Sequence, residues 1–166
     1  SLGAIADLQG QVAGGSLITN FQAHANRYLI AHEFLFCGPA RCQYPADMGD
    51  IANVNRPSFL MVWGCHANQF PDGPSAISGF PDSTDAVGEI WMNLPDRGAI
   101  ASLGSSAYEV LETNAAYNGL VGKAFFSKPP SVVDVGGTRR ARWILGEVLM
   151  QAAIENSSAG FLQGLM

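Results

Sequence analysis

Short apolar runs that end in small or turn-forming residues alternate along this chain with stretches of helical spacing. The first run, Ser16–Gln22, follows the break at Gly14-Gly15 and reads as a strand. The second, Ser58–Gly64, is almost continuously apolar, as a strand buried on both faces should be. A third strand, Ala99–Leu103, is expected after the turn Pro95-Asp-Arg-Gly98. Between the first two, Arg27–Phe36 is short and apolar with Glu33 inside it, and Cys37–Pro45 is a Pro-, Gly- and Cys-bearing loop. Asp47–Asn53 is expected to make one or two helical turns as a crossover.

Three helices are predicted. Ser83-Thr-Asp85 caps a helix running to about Leu94, with Ala86, Val87, Ile90, Trp91 and Leu94 on its apolar side. Asn114–Phe126 fits a second, despite Gly119 and Gly122. Arg140–Glu155 fits a third, through the spacing of Trp143, Ile144, Val148, Leu149 and Ala152. Residues 1–14 are weakly patterned, either the end of a helix or a linker. Lys128-Pro-Pro130 opens a loop that contains Gly136-Gly137. His66–Asp82, rich in Pro and Gly, is a long loop, and long loops in compact domains are often functional.

Strands alternating with helices predict an α/β fold built of parallel βαβ units covered on both faces. Residues 1–166 then form a single domain, without repeats. Three strands are few for a doubly wound sheet, so the expectation is a partial domain with its missing strands upstream or on another chain. The opening Ser1-Leu-Gly-Ala-Ile has neither an initiator Met nor the basic n-region of a signal peptide. It is expected to be a mature or excised piece of a longer precursor.

Composition narrows the function. With 48% hydrophobic and 14% charged residues, the chain should fold around a core rather than stay disordered. A net charge of −5 gives no basic footprint, which argues against a nucleic-acid partner. No apolar run reaches the roughly eighteen residues of a membrane-spanning helix. Three cysteines are too few for a disulfide framework. Cys37 and Cys42 could close a small disulfide in a secreted protein, which would leave Cys65 as the odd thiol.

The chemistry-bearing residues stand at strand ends. Cys65 follows the apolar run and is preceded by Gly64, which lets the backbone turn and bring an amide near a substrate carbonyl. His24, between Ala23 and Ala25, ends the first run. Neighbouring parallel strands would set both at the carboxyl edge of the sheet, where open α/β sheets bind their ligands. A thiol beside an imidazole there suggests a nucleophile and its general base. His32 stands next to Glu33 and suits a structural role, and His66 is a poor partner because sequence neighbours on an extended segment point to opposite sides.

Zinc is a competing use of Cys37, Cys42, Cys65 and a histidine, but no second close pair completes a knuckle. Ser105 and Ser106 lie outside any Gly-x-Ser-x-Gly elbow and suit a polar pocket wall.

Four segments together resemble the gingipain-type cysteine peptidases, which have a caspase-like fold. Asn20-Phe-Gln-Ala-His24-Ala is similar to the family's Asn-Tyr-x-Gly-His-Gly segment, and Pro57-Ser-Phe-Leu-Met-Val-Trp-Gly-Cys65, followed by Phe70, resembles the nucleophile strand. Ala86–Ala101 resembles the helix, turn and next strand. Leu145-Gly-Glu-Val-Leu-Met-Gln-Ala152 is similar to a late Leu-Gly-Glu-Ala helix. The matches cover most of the chain, in order.

The resemblance implies a three-layer sandwich with a mostly parallel sheet, and an endopeptidase using an acyl-enzyme on Cys65 with His24 moving the protons. It implies an oxyanion hole from the amides of Cys65 and Ala25, and a primary specificity pocket shaped by Gly64, Ser105, Ser106 and Tyr108. Substrates would be proteins or peptides. The acid that orients His24 would come from an amino-terminal segment completing the domain. Catalysis would need no cofactor, structural calcium is compatible with the family, and location would be secreted or at the cell surface.

One departure matters. Alanines stand at 23 and 25 where the family has glycines, and an L-residue in the left-handed region costs roughly 1 kcal/mol. The rival expectation is therefore a catalytically degenerate module that keeps the fold and binds or scaffolds. Glu109 and Glu112, just past the pocket loop, would suit a basic substrate residue, although helix-surface acids are usually only solvated.

Overall fold

The computed structural model describes residues 2–31, 36–37, 50–69, 85–127, 131–142 and 144–158. Helix α1 spans Leu2–Ala13, followed by strands β1 (Ile18–Gln22), β2 (Ala25–Asn26), β3 (Leu29–Ile30), β4 (Phe36–Cys37) and β5 (Ser58–Trp63). Helix α2 (Val87–Asn93), strand β6 (Ala99–Gly104), helix α3 (Leu111–Ser127), strands β7 (Ser131–Val135) and β8 (Thr138–Arg142) and helix α4 (Leu145–Ser158) complete the order. Two compact units result, Ser1–Glu109 and Val110–Met166.

The first unit is organised by a parallel sheet in the order β1-β5-β6. All six residues of β5 are buried, as the unbroken apolar run required. Leu60 and Val62 form the core with Val12 of α1, Ile30 of β3, Ile51, and Val87 and Trp91 of α2. Phe21 stands opposite Val62 in the register and meets Trp91 edge-on, with ring centroids 6.3 Å apart. The expected strands and the α2 crossover are therefore present, and among the described residues there are four helices. The fold is α/β and consistent with part of a caspase-like sandwich.

The edge where β5 and β6 begin is tied by Asn53. Its Nδ2 donates to the carbonyls of Gly98 (2.8 Å) and Arg56 (3.0 Å), and its Oδ1 accepts from Gly98 N–H at 2.7 Å. Gly98 has φ +82°, and a Cβ there would lie 2.0 Å from the Trp91 carbonyl oxygen, so only glycine fits. Between Ser58 and Phe59 the β5–β6 register shifts, which leaves Ile100 outside the ladder and 66% exposed, a β-bulge.

Several expectations need correction. Ile51–Asn53 is not helical: Asn53 instead opens a turn, its carbonyl accepting from Arg56 N–H at 2.9 Å while its amide reaches across to Gly98. Residues 1–14 do carry a helix, α1, held by Leu8 and Val12 against the core. The N-cap of α2 is Ala86, not the Ser83–Asp85 group. Alanine has no capping oxygen, and the helix instead begins with Glu89 Oε2 accepting from Ala86 N–H at 2.9 Å.

In the second unit, the predicted loop and the start of the last helix are an antiparallel hairpin, β7–β8. Its turn is Gly136-Gly137, with φ +59° and +79°, the two positive values a tight hairpin turn of type I′ requires. Helix α4 starts only at Leu145 and is joined to α3 by contacts along both helices. The Cys37–Cys42 disulfide, His32 and most of the loop after Gln69 lie outside the residues whose side chains are described.

Candidate active site

Register decides what the sheet brings together. Gln22 stands opposite Trp63 in the parallel β1–β5 ladder, and Ala23 N–H donates to the Trp63 carbonyl at 3.3 Å. The ladder ends there; Ala23 and Gly64, then His24 and Cys65, are the next residues along the two segments that leave this edge. A Cβ on Gly64 would lie 2.3 Å from the Ala23 carbonyl oxygen and 2.7 Å from Ala25 Cβ. Glycine at 64 thus leaves the room that the Ala23–Ala25 segment occupies. His24 is exposed there and Cys65 is half-buried.

After His24 the chain folds back as the short hairpin β2–β3, with Ala25 opposite Ile30. Ala31 N–H donates to the His24 carbonyl at 2.7 Å, which makes 24 and 31 a hydrogen-bonded pair. Antiparallel ladders alternate, so Ala25 occupies a non-bonded pair and its N–H points away from β3. Among the described residues, those with positive φ outside glycine are Ala31, Asn55, His66 and Asp96. Ala23 and Ala25 are not among them, and the expected left-handed cost of alanine does not arise.

The start of α2 staples the two segments. Val87 N–H donates to the Arg27 carbonyl in the histidine hairpin (2.7 Å), and Gly88 N–H donates to the Ala67 carbonyl after the cysteine (3.2 Å). These are among the N–H groups that a helix leaves without intrahelical partners. Here they fix both loops to one rigid element.

Beyond Cys65 the chain zips onto the loop that follows β6. Asn68 N–H donates to the Ser105 carbonyl (2.8 Å) and His66 N–H to the Ala107 carbonyl (2.9 Å). Glu109 N–H reaches Cys65 Sγ at 3.4 Å. The sheet is parallel up to this edge, and the two loops leaving it run antiparallel. Ser105 Oγ is used within its own loop, donating to the Ala107 carbonyl at 2.8 Å and accepting from Ala107 N–H at 3.2 Å. Ser106 is exposed, and Tyr108 is 79% exposed.

His66 has φ +58°, not the extended backbone assumed from sequence. Its ring meets Tyr108 edge-on with centroids 4.4 Å apart.

The model for peptidase family C25 matches residues 3–163. The chain belongs to that family. Cysteine peptidase chemistry, and with it the hydrolase class, follows from C25 membership, and the gingipain-type resemblance extends over nearly the whole sequence. No curated protein and no solved structure matches the chain. Among the described residues of this C25 chain, no group of three His, Cys, Asp or Glu side chains is gathered as metal ligands. No helix among them is long and apolar enough to cross a membrane.

Sequence reasoning named His24 and Cys65 as candidates but did not single out Asn68, the Glu109 amide or the two carbonyls under α2. The last three act through the backbone, which any residue supplies, so they leave no signal in the sequence. Asn68 is a buried amide three residues after the cysteine, and nothing in the pattern separates it from a loop asparagine.

Proposed function

We propose that this C25 chain is an endopeptidase in which Cys65 is the nucleophile and His24 the general base and acid. The observation that carries the reading is the approach at Gly64, which brings the His24 segment against the Cys65 strand end at the carboxyl edge of the sheet. The Cys65 thiolate attacks the scissile carbonyl carbon, and His24 delivers its proton to the departing amine. Water, deprotonated by His24, then hydrolyses the thioester and frees the thiol.

The oxyanion would be met by the amides of Cys65 and Ala25. The outward N–H of Ala25 supports that role, and such donors typically contribute about 3 kcal/mol to the barrier. Gly64 and the loop bearing Ser105, Ser106 and Tyr108 would form the wall of the primary pocket. Because that loop is bonded to the cysteine turn, substrate contacts and nucleophile move as one piece. Peptides or proteins are the substrates, no cofactor takes part, and an amino-terminal segment supplies the acid that orients His24. Secretion or display at the cell surface accords with the family.

The test is the rate of Cys65 alkylation by iodoacetamide from about pH 5 to about pH 9 in wild type and His24→Ala. Fast labelling below neutrality that disappears in the variant is the expected result. Slow labelling, rising only in alkali and indifferent to His24, would overturn the reading and favour a degenerate binding module. Cys65→Ala should abolish peptide hydrolysis with the fold intact.

A further inference from the structure

A buried polar group three residues past the candidate nucleophile is not part of the His24–Cys65 pair. Asn68 is 8% exposed and sits between the cysteine turn, the end of β6 and the start of α2. With its amide turned so that donors meet acceptors, Nδ2 lies 3.0 Å from both the Ala67 carbonyl and Ser102 Oγ, and Oδ1 accepts from Gly104 N–H at 3.2 Å. Its own N–H holds the Ser105 carbonyl at 2.8 Å. Every arm of the side chain is used, which is how a buried amide becomes stabilising rather than costly.

The surroundings are cleared for it. A Cβ on Gly88 would lie 2.1 Å from one terminal atom of the Asn68 amide and 2.5 Å from Ser102 Oγ, and one on Gly104 would lie 3.0 Å from Asn68 Cγ. Two glycines on two different elements therefore leave the space that the amide fills. What it holds is a strained turn: His66, next to the thiol, is in the left-handed region at φ +58°, a conformation that costs a non-glycine residue free energy and persists only when the neighbours enforce it. The bonds that enforce it are the Ala107 carbonyl on His66 N–H and the Asn68 clamp on the next peptide.

We infer that Asn68 is a positioning residue for the reaction, fixing the Cys65–His66 turn against β6 and α2 so that the thiol keeps its place opposite His24. The inference rests on the reading of Cys65 as nucleophile. Asn68 touches no reacting atom. Its effect passes through Ala67 to the turn and through Gly104 and Ser105 to the loop whose Glu109 N–H reaches the sulfur.

The test compares Asn68→Ala, Asn68→Asp and Ser102→Ala in the full chain, reading iodoacetamide labelling of Cys65, thermal unfolding, and hydrogen exchange at the His66 and Glu109 amides. A merely structural loss would lower the melting temperature and leave labelling unchanged, or speed it by exposing the thiol. A positioning role slows labelling about tenfold in Asn68→Ala and speeds exchange at both amides about tenfold. Asn68→Asp keeps the acceptor for Gly104 N–H but loses the donor to Ala67, so it should recover part of both effects. Ser102→Ala, which leaves the amide its bonds to Ala67 and Gly104, should show the same changes at smaller size than Asn68→Ala.

Labelling and exchange both within about twofold of wild type in folded Asn68→Ala would overturn the inference. If that variant does not fold, Asn68→Asp decides by the same two readouts. Wild-type labelling that ignores His24 would sink the peptidase reading separately, while the exchange data would still show whether Asn68 holds the turn.

Discussion

Strand β6 is gripped at both ends by a buried asparagine, Asn53 where it begins and Asn68 where it stops. Both amides bond backbone on either side of them, and both stand beside a glycine that admits no Cβ, Gly98 at one end and Gly88 at the other. The difference lies in the neighbours. Around Asn53 are the turn after α2 and the bulge at Ile100. Around Asn68 are the cysteine turn, a left-handed histidine and the loop bearing Tyr108. On the reading proposed above, the same device serves folding at one edge and the placing of the Cys65 thiol at the other. Enzymes of this architecture keep chemistry at the carboxyl edge, so damage at the two ends should separate.

The largest effect is expected at the amino edge. Gly98→Ala places a methyl against the Trp91 carbonyl at φ +82° and should cost about 3 kcal/mol or more of stability. Asn53→Ala, which strands the Gly98 N–H and leaves the Gly98 carbonyl only its bond from Ser58 N–H, should cost about 3 kcal/mol. Denaturant midpoints measure both. Under conditions where either variant is still folded, Cys65 labelling should match wild type. Labelling that fell with stability in Asn53→Ala would erase the distinction between the two ends.

Gly64→Ala sharpens the comparison from the other side. The added methyl meets Ala23 and Ala25 backbone and side chain, so the His24 segment must move. A displacement of about 1 Å in a reacting group costs roughly a hundredfold in rate. The expected outcome is a fall of about that size in peptide hydrolysis, with a stability loss of about 1–3 kcal/mol. Hydrolysis at wild-type rate would show that the approach of the two segments is only packing.

Much of this was legible because parallel sheets write themselves plainly. A β5 buried on both faces has to be continuously apolar, and a residue at its end has to lie at the carboxyl edge. That is what made His24 and Cys65 the candidates. Strands of two residues, β2 to β4, are too short to show a period. Helix α1 carries glycines at 3 and 10, and its packing through Leu8 and Val12 outweighs its weak pattern. The β7–β8 hairpin was readable, since Ser131-Val-Val-Asp-Val135 followed by Gly-Gly is a strand and its turn. It was hidden by the helical spacing that begins nearby, at Trp143. Asn53 and Asn68 could not be ranked as loop residues, because an amide's worth depends on which backbone groups are stranded without it.

The smallest predicted effect lies outside both edges, in the second unit. Lys123 Nζ donates to Glu155 Oε2 at 2.8 Å and Gln151 Nε2 to Oε1 at 3.2 Å. The bond from Lys123, and then that from Gln151, holds the Glu155 carboxyl below its ordinary range. A depressed folded-state value means the contribution is present above the unfolded-state pKa and is lost as pH falls through the folded one. Glu155→Gln should therefore lower the melting temperature slightly at neutral pH, with the gap to wild type closing in acid and in high salt. Cys65 labelling should not change. A gap that persisted in acid would assign the contact to packing of the long side chains, not to charge. Its small size is the scale against which the two asparagines are judged: an exposed pair joins helices that water could separate at little cost, whereas a buried amide cannot be replaced by water without opening the edge it closes.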